Sequence, residues 1–327
     1  MPKRLVDLRS QVPLLDIASY GRRGPGHRHA PSPAEIAHAS RTARGVPEVM
    51  IKVSGGARTI RGIATHLAYL EKRADLETDD GAILTEKGLG RGLLKDWDLE
   101  IDERRHHTER GIAAGRKTPK LVHNIVFSMP KGTRPDKLHK AVRKFATEKF
   151  GAQHRYAMAL HTDQGHPHVH LVVKAMSERG ERLNIYKATL RDWRRDFARY
   201  LRELGVEANA TERAVRGGQH HNRKTAIYRA AARGDSTYMR ERAEAIAREL
   251  RSGGVRPEGG HSRVRQTRQE VERGWMAFAD LMEREGRHDD AAQVRRFADR
   301  MPPARTDRQL MAEQILAAAR ERAPPTR

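Results

Sequence analysis

The chain contains no cysteine among its 327 residues. This absence excludes disulfide bonds and every metal site that depends on thiolate ligands. Aromatic residues make up only 5% of the chain. No apolar run approaches the length of a membrane-spanning helix, and the amino terminus lacks the apolar core of a secretory signal. We therefore expect a soluble protein that inserts into no membrane and stays in a reducing cytoplasm.

Acidic residues are scarce relative to basic ones. The chain has 42 Asp and Glu against 64 Lys and Arg, which gives a formal net charge of +22 and an isoelectric point near 10.7. A charge of this size and sign indicates a polyanionic partner, although it carries no information about the fold.

The most informative stretch is a group of regularly spaced histidines. From His168 to Lys174 the residues alternate in a way that is typical of a strand, with His168 and His170 on one face. Residues 155–161 have the character of a second strand, and antiparallel pairing of the two would bring His161 to the same end. One histidine pair on a strand often has no function. Three converging imidazoles with open positions, however, are typical of a catalytic metal site.

A tyrosine lies on a second element that the sequence predicts. Residues 49–53 are typical of a short strand, and residues 59–72 are typical of a helix. The helix has an apolar stripe on one side, made of Ile60, Ile63, Ala64 and Leu67. Tyr69 falls on the opposite side, next to two basic residues. Periodicity alone leaves it either a surface side chain or a functional one, and Tyr20 is a rival functional tyrosine.

Two motifs in these stretches resemble those of a known family. Residues 161–170, HTDQGHPHVH, resemble the third motif of conjugative and mobilisation relaxases, which are HUH-superfamily endonucleases that include the T-DNA border type. Residues 53–56 followed by 66–70 resemble the first motif of the same family. The resemblance covers about residues 48–230. It implies site-specific nicking and rejoining of single-stranded DNA at an origin of transfer.

The resemblance also implies roles for individual residues. Tyr69, rather than Tyr20, would attack the scissile phosphate and give a 5′-phosphotyrosyl adduct. One divalent metal ion, Mn²⁺ or Mg²⁺, would be held by His161, His168 and His170. The Asp163 carboxylate would orient one of the metal-binding histidines without binding the metal itself. The expected DNA contacts are Ser54, Lys72, Arg73, His166, Arg191, Arg194 and Arg195.

Two other functions stay open at this stage. A rolling-circle replication initiator of the same superfamily would usually place its tyrosine after the histidines, whereas Tyr69 precedes them. A metal-binding DNA protein without catalysis is the second alternative. His166 either contacts DNA or assists proton transfer, and the sequence does not choose between these roles.

The predicted fold class is α+β, with a central antiparallel sheet, flanking helices and a helical C-terminal extension. We predict a mobile basic arm over residues 1–47, the nuclease domain over 48–250, a linker over 251–262 and a helical module over 263–327. The resemblance implies relaxosome accessory proteins and a type IV coupling protein as partners, with transfer of the protein into a recipient cell alongside the DNA. The C-terminal helices either serve such a partner or pack on the nuclease.

Overall fold

A computed structural model describes residues 31–108, 118–163, 165–218, 230–254 and 260–322. The chain divides into two compact units. We call residues Val46–Ala210 the sheet unit, and Met1–Gly45 together with Thr211–Arg327 the helical unit.

Six strands form the antiparallel sheet of the sheet unit. They are β1 (Met50–Gly55), β2 (Leu76–Thr78), β3 (Ile83–Leu84), β4 (Val122–Ser128), β5 (Tyr156–His161) and β6 (His168–Lys174). Their order across the sheet is β1-β4-β6-β5-β2-β3, and each neighbouring pair is antiparallel. This arrangement confirms the predicted fold class. The sequence analysis did not predict β2 and β3.

The described helices are distributed over both units. They are α1 (Pro33–Ala43), α2 (Ile60–Glu71), α3 (Gly92–Asp96), α4 (Leu99–Thr108), α5 (Pro135–Phe150), α6 (Lys187–Glu203), α7 (Thr237–Arg251), α8 (His261–Arg284), α9 (His288–Asp299) and α10 (Asp307–Arg322). None of these described helices is long and apolar enough to cross a membrane.

Each face of the sheet has its own hydrophobic core. On one face, Val169, Leu171 and Val173 of β6 pack with residues of α5 and α6, including Phe145 and Phe197. On the other face, residues of α2, α3 and α4 cover Val172, Ala157 and Ala159. Because side chains alternate along a strand, this second face is also the one that carries His168 and His170.

Helix α2 begins at a defined cap and buries one stripe. The Thr59 side chain accepts a hydrogen bond from the amide of Gly62, which satisfies one of the amides left unpaired at a helix start. Ile63, Leu67 and Leu70 are buried against the sheet. These contacts hold the C-terminal turn of α2 over the strand ends that carry the histidines.

The helical unit has its own core, formed by α1, α8 and α9. The indole nitrogen of Trp275 on α8 donates a 2.8 Å hydrogen bond to the carbonyl of Val215, and Ala39 of α1 is buried in the same cluster. A smaller cluster joins α7 and α10 through Ile246 and Met311. The helical C-terminal extension is therefore confirmed.

The domain boundaries given in the sequence analysis stay predictions. Helix α1 lies within the segment 1–47 that was predicted as a mobile arm, and the sequence analysis did not predict this helix. Residues 1–30 of that segment and 255–259 of the predicted linker lie outside the described residues.

Candidate active site

Three imidazoles converge at one end of the sheet. The last residue of β5, His161, is paired in register with the first residue of β6, His168, and His170 stands opposite Ala159. The ring centroids are 5.3 Å apart for His161 and His168, 4.7 Å for His161 and His170, and 5.1 Å for His168 and His170. One ligand nitrogen from each ring lies within 4.8 Å of the other two, so the three histidines can hold a metal ion.

The hydrogen bonding of these rings suits metal ligands. Neither ring nitrogen of His161 makes a hydrogen bond of normal geometry in the described chain, and Nδ1 of His170 also has no partner there. Buried polar atoms are normally satisfied, so these nitrogens are available for a ligand. Nδ1 of His168 lies 3.3 Å from the carbonyl of His166, and a proton donated there leaves Nε2 free to bind a metal.

Burial also keeps the rings in the form that binds metals. Burial, with a smaller contribution from the neighbouring His161 and His168, lowers the pKa of His170 to about 4. Burial lowers the pKa of His161 in the same direction, and its neighbour His168 adds to this effect. Because neutral imidazole is the ligand form, both rings are ready to bind a metal at neutral pH.

Tyr69 faces this triad from the last turn of α2. Its side chain is 40% exposed and lies off the buried stripe, as the helical periodicity predicted. The ring centroid lies 6.3 Å from that of His161 and 6.4 Å from that of His170. The structure therefore brings together the tyrosine and the three histidines, which come from separate sequence motifs.

Arg73 holds the tyrosine in place. Its Nη1 donates a 2.5 Å hydrogen bond to the Tyr69 hydroxyl, and its Cζ lies 4.6 Å from the centre of the phenol ring. Its Nε lies 3.6 Å from a carboxylate oxygen of Asp163. Arg73 therefore links Asp163 to the phenol. The roles predicted for these two residues, orientation of a histidine by Asp163 and a DNA contact by Arg73, stay predictions.

His66 lies in the same site, although its role was not predicted from the sequence. Its ring stacks on Tyr69 with an interplanar angle of 14°, and it meets His170 edge-on, with a centroid distance of 6.2 Å in each case. Its Nε2 is buried without a partner among the described residues, and burial lowers its pKa. The sequence feature that could have indicated His66 is its spacing from Tyr69, because residues three apart share one face of a helix.

The other predicted DNA contacts are more widely spread. Lys72, which follows Tyr69 in the sequence, and His166, which precedes His168, are exposed. The Ser54 hydroxyl on β1 donates to the Asn124 carbonyl at 3.2 Å. The three arginines lie on α6, which packs against the sheet face opposite the imidazoles. Arg194 donates to the Ile51 carbonyl at 3.0 Å, Arg195 lies 3.5 Å from Asp192, and Arg191 is partly buried.

An antiparallel sheet that presents three imidazoles to a tyrosine is a candidate metal-dependent active site. Residues 69–206 match the family model described as "Relaxase: MobA/VirD2-like, nuclease domain". Residues 69–206 are therefore similar to the nuclease domain of MobA/VirD2-like relaxases. The matched segment begins at Tyr69 and includes all three imidazoles.

The chain is similar to several curated proteins over a shared segment. It is 29% identical over 194 residues to the T-DNA border endonuclease VirD2 of Rhizobium radiobacter, covering 52% of this chain and 43% of that protein. The VirD2 of Rhizobium rhizogenes is equally similar, with 42% of its length covered. The chain thus spans less than half the length of these relatives.

One solved structure also aligns with the chain. Its title is "Molecular Basis of Vancomycin Resistance Transfer in Staphylococcus aureus", and it aligns with 51% of this chain and 99% of its own at 13% identity. The TM-score is 0.32, and at this value the alignment carries no argument.

Proposed function

We propose that this chain nicks and rejoins one strand of DNA at an origin of transfer, with Tyr69 as the nucleophile. The observation that carries the proposal is that the Tyr69 hydroxyl, held by Arg73, stands beside three imidazoles whose ligand nitrogens converge on one point. The site combines an oriented nucleophile with a place for a phosphate-binding cation, the two components of metal-assisted phosphodiester cleavage.

The reaction exchanges one phosphoester bond for another. The Tyr69 oxygen bonds to phosphorus, the bond from phosphorus to the 3′ oxygen breaks, the phenol loses its proton and the 3′ oxygen gains one. The products are a 5′-phosphotyrosine and a free 3′-hydroxyl. Because the adduct retains a phosphodiester linkage, the reverse reaction rejoins the ends without ATP.

The chain's own residues prepare the nucleophile. A phenol has an ordinary pKa near ~10, so the hydroxyl is a weak nucleophile at neutral pH. The hydrogen bond from the Arg73 guanidinium stabilises the negative charge that grows on the phenol oxygen as the proton leaves. Asp163 contacts the other edge of the guanidinium and directs it toward Tyr69.

The three imidazoles would hold one divalent cation, for which we propose Mn²⁺ or Mg²⁺. Bound there, the cation would act as a Lewis acid on the non-bridging oxygens of the scissile phosphate. His168, fixed through its Nδ1 by the His166 carbonyl, presents Nε2 in one orientation.

The proposed substrate is single-stranded DNA at the origin of transfer. We further propose that relaxosome accessory proteins and a type IV coupling protein are partners. The chain would act in the bacterial cytoplasm and enter the recipient cell with its DNA. The 29% identity to T-DNA border endonucleases supports this assignment over a rolling-circle initiator, and so does the position of Tyr69 before the histidines.

The test is covalent adduct formation on a single-stranded oligonucleotide that carries a candidate origin, with Mn²⁺ present. Wild-type chain and the matched control Tyr20→Phe should both form a DNA adduct that survives denaturing electrophoresis. Tyr69→Phe should bind DNA and form none. If Tyr69→Phe still forms the adduct and Tyr20→Phe does not, Tyr69 is not the nucleophile. A wild-type chain that binds metal and DNA without cleavage would support the non-catalytic alternative.

A further inference from the structure

The register of the sheet extends the row of histidines toward the edge strand β1. Lys52 of β1 pairs with Val126 of β4, which in turn pairs with His170 of β6. Two residues before Lys52 on the same strand, Met50 pairs with Ser128, and Ser128 pairs with His168. Because paired residues in an antiparallel sheet point to the same face, Met50 and Lys52 lie on the histidine face.

This part of the face is open to solvent. Helix α2 and its neighbours cover the face over β5 and β6, where Ala157, Ala159 and Val172 are buried. On β1, Met50 is 39% exposed, and Lys52 is also exposed. We call Met50 and Lys52 the β1 strip.

The composition of the β1 strip differs from that of a merely protected sheet edge. Lysines are common on edge strands because they discourage pairing with other chains. An exposed methionine beside such a lysine favours association with other molecules, since it adds an apolar surface. The Lys52 ammonium makes no ion pair or hydrogen bond with the described residues, so its charge is available to an anion.

We propose that the β1 strip binds the segment of single-stranded DNA that adjoins the scissile phosphate. This inference rests on the proposed function. Two strand spacings separate Lys52 from His170, about 10 Å, so one strand of DNA lying over the triad continues onto the strip. Lys52 would contact a backbone phosphate and Met50 an apolar face of a sugar or base. Single-strand sites combine cationic contacts to the backbone with side chains that pack on the base faces, most often aromatic ones.

The first experiment measures the salt dependence of binding to an oligothymidylate strand. Each neutralised phosphate of a single strand contributes about −0.7 to the log–log slope, so Lys52→Gln should make the slope shallower by about 0.7. Lys52→Arg should restore it. The control is Lys140→Gln, an exposed lysine on α5, which packs against the opposite face. An unchanged slope in Lys52→Gln, or an equal change in Lys140→Gln, would overturn the proposal.

The second experiment tests the apolar contact. Met50→Ala should weaken oligothymidylate binding and leave the salt slope unchanged, because no charge is lost. Ile83→Ala is the matched control, since Ile83 is 61% exposed on β3 at the other edge of the same sheet. Equal losses in the two variants would contradict a specific contact. If Lys52→Gln changed the oligomeric state and left DNA binding intact, the strip would be an interface between copies.

Adduct formation separates failure of this inference from failure of the proposed function. If the wild-type chain forms a normal adduct and Lys52→Gln leaves the salt slope of binding unchanged, only the DNA-binding role of the β1 strip is overturned. A shallower slope in Lys52→Gln together with no wild-type adduct on any candidate origin overturns the proposed nuclease alone. Circular dichroism of each variant confirms that the exposed substitutions leave the fold intact.

Discussion

Replacing Arg73 by glutamine should slow the attack of Tyr69 without abolishing DNA binding. The guanidinium donates directly to the phenol oxygen, which is the atom on which negative charge grows in the proposed reaction. Glutamine keeps some hydrogen-bonding capacity and removes the charge. The substitution therefore tests stabilisation of the phenolate.

The expected magnitude follows from the strength and exposure of this contact. A hydrogen bond to a charged group contributes about 1.5–3 kcal/mol. The Arg73 side chain is 37% exposed, and solvent weakens exposed charge interactions. We therefore expect a loss of about 1–2 kcal/mol in transition-state stabilisation. Since 1.36 kcal/mol is tenfold in rate, adduct formation should slow by about 5- to 30-fold.

The assay is the single-turnover rate of adduct formation at saturating oligonucleotide, with DNA affinity measured separately. Arg61→Gln is the matched control, because Arg61 is exposed on the same helix at its other end. Arg73→Lys should recover part of the rate. An unchanged rate in Arg73→Gln would refute the reasoning. A loss confined to affinity would instead support the DNA contact that the sequence predicted for Arg73.

Two further predictions concern the metal site and the fold. Losing a hydrogen bond that supports a metal ligand weakens metal binding about 10- to 100-fold, so His168→Ala, which removes a ligand, should weaken Mn²⁺ binding by more than this in calorimetry. His288→Ala, which removes an exposed histidine outside the triad, should leave Mn²⁺ binding unchanged. Equal Mn²⁺ affinities in the two variants would show that the triad is not the metal site. Gly56→Ala should lower the free energy of unfolding by about 1–3 kcal/mol or more, because φ is 151° and a Cβ there would lie 2.3 Å from the Val122 carbonyl oxygen. Gly55→Ala, with open space around it, should change the stability by less than about 0.5 kcal/mol in the same urea titration.

Local periodicity was enough to predict several elements with their boundaries. The strand His168–Lys174 was predicted as the structure has it, and the helix predicted over residues 59–72 spans Ile60–Glu71. The alternation of the strand and the apolar stripe of the helix are properties of neighbouring residues, and they are therefore visible in the chain itself. The off-stripe position of Tyr69 was predicted for the same reason.

Elements without enough local signal were missed. Strands β2 and β3 have three and two residues, too few for an alternating pattern to be recognised. Helix α1 has a proper cap at Ser32, but its buried residues are the small Ala39 and the polar Ser40 and Thr42. Such a face has no apolar stripe, and its burial depends on a core built from residues far along the chain.

The sequence by itself determined the alternation that sets His168 and His170 on one face, the placement of Tyr69 away from a helical core, and the cationic character of the chain. Only the tertiary structure decided that Arg73 lies between Tyr69 and Asp163, and that the edge strand extends the histidine row to Lys52. Side-chain direction follows from backbone dihedral angles, which neighbouring residues largely set. Strand order and contacts between distant side chains depend on which long-range pairings bury the most apolar surface, and no local pattern records that choice.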